Sequence, residues 1–265
     1  MNLYIIKIGG SVCTDKAGNK FIVRKEIVQR IAQEIKQAQK QKKFKLIIVH
    51  GAGPFGHTLV KQYKLTRKIK TKQQIQGVLK VQESTQTLNQ TIVKLFKKQG
   101  MKITGLPTHA LVIQSNKKIK QFELQPVKEL LKQNQVPCLY GDMVVDTKLG
   151  ASVVSGDAIV PWLAKKLKAK KVFYGTDVDG IYAQDPKQNP KAELLKVINK
   201  HNYSQALRKL TGSLSTDVTG GMKGKVEKMH KDLKGIPTTI FNMNPKQNTY
   251  QALMGKLTEC TQVKL

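Results

Sequence analysis

The 265-residue chain predicts an α/β fold built on a mostly parallel sheet covered on both faces. Three observations carry this. Apolar runs alternate with stretches of helical periodicity along the chain, the pattern of parallel strands joined by crossover helices. The first run, 3–8, is apolar almost throughout, as strands buried on both faces are. Glycine-bearing motifs recur where the runs end, and open α/β sheets bind ligands at the carboxyl ends of their strands. A hydrophobic share of 40% suffices for a buried core.

The elements follow in order. Residues 3–8 form a strand, and the spacing of Ile27, Ile31 and Ile35 predicts a helix over 22–39. A second strand at 46–49 runs into the glycines of 51–56. A helix is expected over 56–63; Pro54 suits a first helical position, where its missing N–H costs nothing. One or two helices follow over 71–98, after a basic segment at 64–72 that reads as a loop, a lid or a solvated turn. Residues 110–114 are strand-like, 127–133 helical, 137–145 a strand or hairpin arm, and 151–154 its return. Then come a helix over 157–167, a strand at 171–174, a helix over 223–233, a strand at 238–241, a short helix over 249–254 and a last strand within 258–264. No linker or repeat interrupts the series, so a single domain over 1–265 is expected.

Composition narrows the function. The net charge is +30, and of the 47 basic residues only Arg24, Arg30, Arg67 and Arg208 are arginine. Readers of nucleic acid favour arginine for bidentate and stacked contacts, and the lysines are spread from end to end, so no specific nucleic-acid partner is expected. The field should still draw in small anions. Cys13, Cys138 and Cys260 are few, odd in number and far apart, which suits a reducing cytoplasm better than a disulfide framework or a metal site. The first residues lack the basic and apolar regions of a signal peptide, and no apolar run approaches the roughly 18 residues of a membrane span.

Four motifs carry the chemistry. Lys7-Ile8-Gly9-Gly10-Ser11, with Lys16 after it, places bare N–H donors and cations at a strand end. His50-Gly51-Ala52-Gly53-Pro54-Phe55-Gly56-His57 is a glycine elbow opening a helix, suited to a phosphate; His57 would add a side-chain contact, while His50 reads as structural. The third motif is Tyr140-Gly141-Asp142 followed by Ser155-Gly156-Asp157, which opens a helix. Its Asp157 is either an N-cap or a carboxylate that holds two lysines in place. The stretch 174–182 is an Asp- and Gly-rich turn fit for a nucleotide rim, and beside it 217–223 brings Gly220 and Lys223 to the start of a helix. The chain has no P-loop, protein-kinase, nucleophile-elbow or zinc-protease signature.

Taken in their order, Lys7-x-Gly9-Gly10-Ser11, Thr176-Asp177-Val178-Asp179-Gly180-Ile181-Tyr182 and Asp217-Val218-Thr219-Gly220-Gly221-Met222-Lys223 resemble the amino-acid kinase superfamily. Within it, the 50–57 elbow and the Lys7…Thr14-x-Lys16 spacing resemble isopentenyl phosphate kinases. The resemblance implies a three-layer α/β/α sandwich, usually a homodimer. It also implies transfer of the γ-phosphate of ATP to isopentenyl phosphate, with Mg²⁺. It implies that Lys7 and Lys223, assisted by Lys16, stabilise the transferring phosphoryl group, and that Asp157 organises the lysines. Gly9, Gly10 and Ser11 would face the ATP phosphates, with Asp177, Tyr182, Gly220 and Lys223 bordering the nucleotide. Ala52, Gly53, Gly56 and His57 would hold the acceptor phosphate, with Gly156 beside them. Residues from about 1 to 150 would then serve the acceptor and 151 to 265 the nucleotide. Pro54 departs from the small serine-like residue more usual there.

An isoprenoid acceptor further requires an apolar pocket, for which Val60, 75–81 and 92–95 are candidates. Other acceptors of the superfamily stay open: a phosphonate such as fosfomycin, UMP or glutamate. So does a catalytically idle, basic binding protein on the same fold.

Overall fold

In the computed structural model, residues 1–15, 21–186, 188–211 and 221–265 are described. The strands are β1 (Asn2–Ile8), β2 (Phe44–His50), β3 (Ile103–Gly105), β4 (Val112–Ser115), β5 (Lys118–Phe122), β6 (Val136–Tyr140), β7 (Asp142–Asp146), β8 (Gly150–Val154), β9 (Lys171–Thr176), β10 (Val197–Asn199), β11 (Thr238–Asn242) and β12 (Thr261–Lys264). The helices are α1 (Gly10–Cys13), α2 (Lys25–Gln41), α3 (Pro54–Gln62), α4 (Lys72–Lys98), α5 (Thr108–Leu111), α6 (Gln125–Lys132), α7 (Gly156–Lys166), α8 (Tyr203–Thr211), α9 (Gly221–Asp232) and α10 (Asn248–Met254).

β1 is an inner strand of an eight-stranded sheet of order β10-β12-β11-β9-β1-β2-β6-β3. Every pairing in it is parallel except β11 with β12. Its alternating side chains show why two helical layers are needed. Tyr4, Ile6 and Ile8 pack with α2, α4 and α10 on one face, whereas Ile5 packs with α6, α7, α8 and α9 on the other. Fully burying one such isoleucine contributes about 1.5–3 kcal/mol, so β1 must be covered on both sides. The result is the three-layer α/β/α sandwich.

A second sheet, of order β5-β4-β7-β8, carries the wall of a cleft. The predicted strand 137–145 is in fact two: β6 ends at Tyr140 in the large sheet, and β7 starts at Asp142 in the small one. Gly141 alone separates them, its N–H donating to the His50 carbonyl at 3.1 Å. The predicted strand 110–114 is corrected as well. Residues 108–111 turn as α5, and the strand begins at Val112, paired with β5. Residues 72–98 are one helix, opened by a reciprocal cap: the Gln74 N–H donates to Thr71 Oγ1 at 3.1 Å, and the Thr71 N–H to Gln74 Oε1 at 3.3 Å.

Candidate active site

β1 and β2 are adjacent and parallel, so the turns after them emerge side by side. The Gly51 N–H donates to the Ile8 carbonyl at 2.9 Å, and the Gly9 N–H to the Gly175 carbonyl at 2.9 Å. Three strand ends are thereby laced together. A Cβ on Gly10 would lie 2.8 Å from Gly53 N, and one on Gly51 would lie 2.6 Å from Gly10 N. The two turns meet backbone to backbone, a close approach that only glycine permits. Gly53 has φ +52°, and its carbonyl accepts the His57 N–H at 3.0 Å as α3 begins, with Pro54 in the first turn. Pro54 thus fits the helix start as expected and brings no N–H there.

Between these turns and the small sheet lies a cleft of about 160 Å³. Lys7, Gly10, Gly51, Ala52, Gly53, Gly56, His57, Gly156 and Asp157 all line it. Of the predicted acceptor and phosphoryl-transfer residues, these come together. Lys7 Nζ meets Asp157 Oδ1 at 2.7 Å and stands 5.6 Å from the centre of the Tyr174 ring. The side chain of Lys7 is 17% exposed and that of Asp157 is 52% exposed. Solvent screens such a pair, so it orients the ammonium more than it stabilises the fold. Asp157 is not the N-cap of α7, because that position is Ser155. A Cβ on Gly156 would sit 3.3 Å from Lys7 Cε, so the small residue leaves room for the lysine stem. His57 is exposed on the first turn of α3.

Two further polar groups shape the cleft. His50 is buried, with Asn89 Nδ2 donating to its Nε2 at 3.1 Å and its Nδ1 lying 3.1 Å from the Gly51 carbonyl. That partner set makes Nδ1 the protonated nitrogen. Burial pulls the imidazole pKa down to about 4, so His50 is a neutral strut under the elbow, as read from the sequence. Asp142, singled out in the Tyr140-Gly141-Asp142 motif without an assigned role, also lines the cleft. Its oxygens are occupied: Oδ1 accepts from Thr85 Oγ1 at 2.8 Å and from the Met143 N–H at 2.9 Å, and Oδ2 lies 2.7 Å from His109 Nδ1. A carboxylate held this way can border an anion site without aiming a lone pair into it.

The apolar side of the cleft is Val60, Val81, Val153 and Val154. Val60 and Val81 were predicted. Ile75 and Leu79 instead face solvent, and Ile92, Val93 and Leu95 pack in the core. Val153 and Val154 come from β8, whose fold over the cleft no periodicity announces.

The described residues expected to border the nucleotide lie after β9. Ser11 Oγ donates to Asp177 Oδ1 at 3.0 Å. Tyr182 donates its hydroxyl to Asp179 Oδ2 at 2.7 Å; burial and that bond push its pKa up to about 12, so it stays a donor. Lys16 and Gly220 lie outside the described residues, and so does the side chain of Lys223, which belongs to α9. Burial raises the Cys13 thiol to about 12, which removes a thiolate nucleophile near the glycine turn. Among the described residues no three His, Cys, Asp or Glu converge on a possible metal position. Among the described residues no helix is long and apolar enough to cross a membrane.

Residues 2–242 match the model of the Amino acid kinase family. The chain is 36% identical to the isopentenyl phosphate kinase of Methanocaldococcus jannaschii, with 96% of each chain covered. It is 32% identical to that of Methanothermobacter thermautotrophicus, with 98% of each covered. A crystal structure described as isopentenyl phosphate kinase superposes with a TM-score of 0.81 at 28% identity, covering 98% of both chains.

Proposed function

This chain belongs to the amino acid kinase family and, within it, to the isopentenyl phosphate kinases, and from that premise we propose how it transfers the γ-phosphate of ATP to isopentenyl phosphate. The products are isopentenyl diphosphate and ADP. The observation that carries the reading is the cleft itself, where an anion-binding pair of glycine turns and Lys7 face an apolar wall of four valines. A five-carbon phosphate monoester needs both halves.

The acceptor oxygen is already anionic, so no general base is required to make the nucleophile. The task is to bring two polyanions together in line. Ala52, Gly53 and Gly56 hold the acceptor phosphate through the elbow, with His57 at its open side and Gly156 beside it. Lys7, oriented by Asp157, is assigned to the charge that builds on the transferring group, and Lys16 and Lys223 are assigned to assist it. Gly9, Gly10 and Ser11 face the ATP phosphates; Asp177, Tyr182 and Gly220 border the nucleotide. The bond from the γ-phosphorus to the bridging oxygen breaks, the electron pair leaves with ADP, and a new bond forms to the acceptor oxygen. Mg²⁺, when bound with ATP, would supply neutralisation of phosphate charge beside Lys7.

The sheet order supports the division of labour. β2, β6 and β3 lie on one side of β1 and carry the acceptor elbow, whereas β9 and β11 lie on the other and carry the nucleotide rim. Residues from about 1 to 150 mainly serve the acceptor, apart from the Gly9–Ser11 turn, and the rest the nucleotide, with the start of α7 shared between them. The protein works in the cytoplasm as a homodimer; Ile75 and Leu79, exposed one turn apart on α4, are apolar surface available to a second copy.

The test is ADP release with MgATP and a panel of isopentenyl phosphate, dimethylallyl phosphate, fosfomycin, UMP and glutamate. Highest turnover with isopentenyl phosphate, yielding the diphosphate, is expected. Preference for another member overturns the acceptor assignment.

A further inference from the structure

Arginine is rare in this chain, and two of the four arginines converge on one loop. Arg24, immediately before α2, shares Nη1 between the Ser11 carbonyl at 3.2 Å, the Val12 carbonyl at 3.4 Å and Asn244 Oδ1 at 3.0 Å. Its backbone N–H donates to the Cys13 carbonyl at 2.9 Å. Arg24 therefore takes three consecutive carbonyls from the segment that follows Gly9 and Gly10.

The far end of this bridge is itself fixed. Arg30, two turns along α2, donates to the carbonyls of Met243 (2.6 Å), Asn244 (2.8 Å) and Pro245 (2.8 Å), and to Glu34 Oε1 at 2.8 Å. Buried Glu34 in turn accepts the N–H groups of Gln247 and Thr249, both at 2.9 Å. The Asn244 N–H donates to Asn242 Oδ1 at 3.0 Å, and Asn242 Nδ2 to Asp179 Oδ1 at 3.2 Å. Asp179 holds Tyr182, and Ser11 holds Asp177. A hydrogen-bonded circuit thus runs from Ser11 through Arg24, Asn244, Asn242 and Asp179 to the nucleotide rim.

We propose that Arg24 is a positioning residue for ATP, setting the glycine turn against the nucleotide rim through Asn244. It touches neither substrate. A guanidinium suits this position because its planar donors have fixed directions, which a lysine ammonium lacks. The inference rests on the assignment of Gly9–Ser11 to the ATP phosphates, but not on the identity of the acceptor.

The experiment is calorimetric titration of the full chain with MgATP in the absence of acceptor. It compares wild type, Arg24→Ala, Arg24→Lys and Asn244→Ala, each with its thermal midpoint and the KM of isopentenyl phosphate. Arg24→Ala should weaken ATP roughly tenfold, in line with losing a charge-assisted bond. Arg24→Lys should recover part of the affinity, and Asn244→Ala should weaken ATP in the same direction. Acceptor KM should stay within about twofold, and the midpoints, though lowered by the lost bonds, should leave each variant folded at the temperature of the titration. Unchanged ATP affinity in folded Arg24→Ala overturns the proposal, as does an equal loss for both substrates. Should Arg24→Ala fail to fold, unchanged ATP affinity in both Arg24→Lys and Asn244→Ala is equally decisive. If the panel favours another acceptor while ATP affinity falls as stated, the acceptor reading fails and Arg24 keeps its role.

Discussion

Gly10 and Gly51 belong to different turns, yet a Cβ on Gly51 would stand 2.6 Å from the Gly10 nitrogen. Neither backbone can yield without moving the other, because each is tied to a strand end. Gly51→Ala should therefore displace both substrate turns at once. We expect kcat/KM to fall roughly 100-fold for ATP and for the acceptor, the scale of an ångström's misplacement. Steady-state kinetics with each substrate varied in turn checks this; a loss confined to one substrate contradicts it.

Lys7 lines the cleft with its ammonium held by Asp157. Lys7→Ala, and Lys223→Ala with it, should lower kcat by roughly 10²-fold or more, typical of lost stabilisation of developing charge. Asp157→Asn should lower kcat less, since the lysine remains but loses its orientation. Near wild-type turnover in both lysine variants would remove the phosphoryl-transfer centre from this site.

His57 lines the cleft, and we assign it to the acceptor phosphate. His57→Ala should raise the KM of isopentenyl phosphate while leaving the KM of ATP within about twofold. Varying each substrate at saturating levels of the other separates the two, and an unchanged acceptor kcat/KM refutes the role.

His50 links pH to stability. Its folded pKa of about 4 lies below the ordinary 6.5, so between these values the unfolded chain binds the extra proton. Stability from this group is complete above about pH 6.5 and is lost as pH falls toward 4, amounting to about 2 kcal/mol at pH 5. Urea unfolding at pH 7 and pH 5 should show this difference in wild type and a smaller one in His50→Gln. Equal differences in the two would assign the acid sensitivity elsewhere.

Legibility from the sequence followed local signal strength. β1, β2 and the elbow stood out because a long apolar run ends in glycines, a pattern with few structural solutions. β3 and β10 did not, since three-residue strands are too short to show a period. β5 reads Lys-Ile-Lys-Gln-Phe and looks like surface. The run 137–145 concealed a change of sheet because its apolar pattern continues through Gly141. The same blindness explains the missed cleft residues: Val153 and Val154 reach the site only because the small sheet folds over it, a long-range event with no local mark.

The placement of β1 also governs how the protein emerges during synthesis. Its two neighbours are β2 and β9, and its pairing with β9 joins Tyr4 to Lys171 and Ile8 to Gly175. A ribosome adding about 5–20 residues per second needs roughly 10–30 s between those partners. Throughout that interval one edge of an isoleucine-rich strand has no mate and is a template for pairing with another nascent chain. The dense positive charge of the chain holds such chains apart until the second flank arrives.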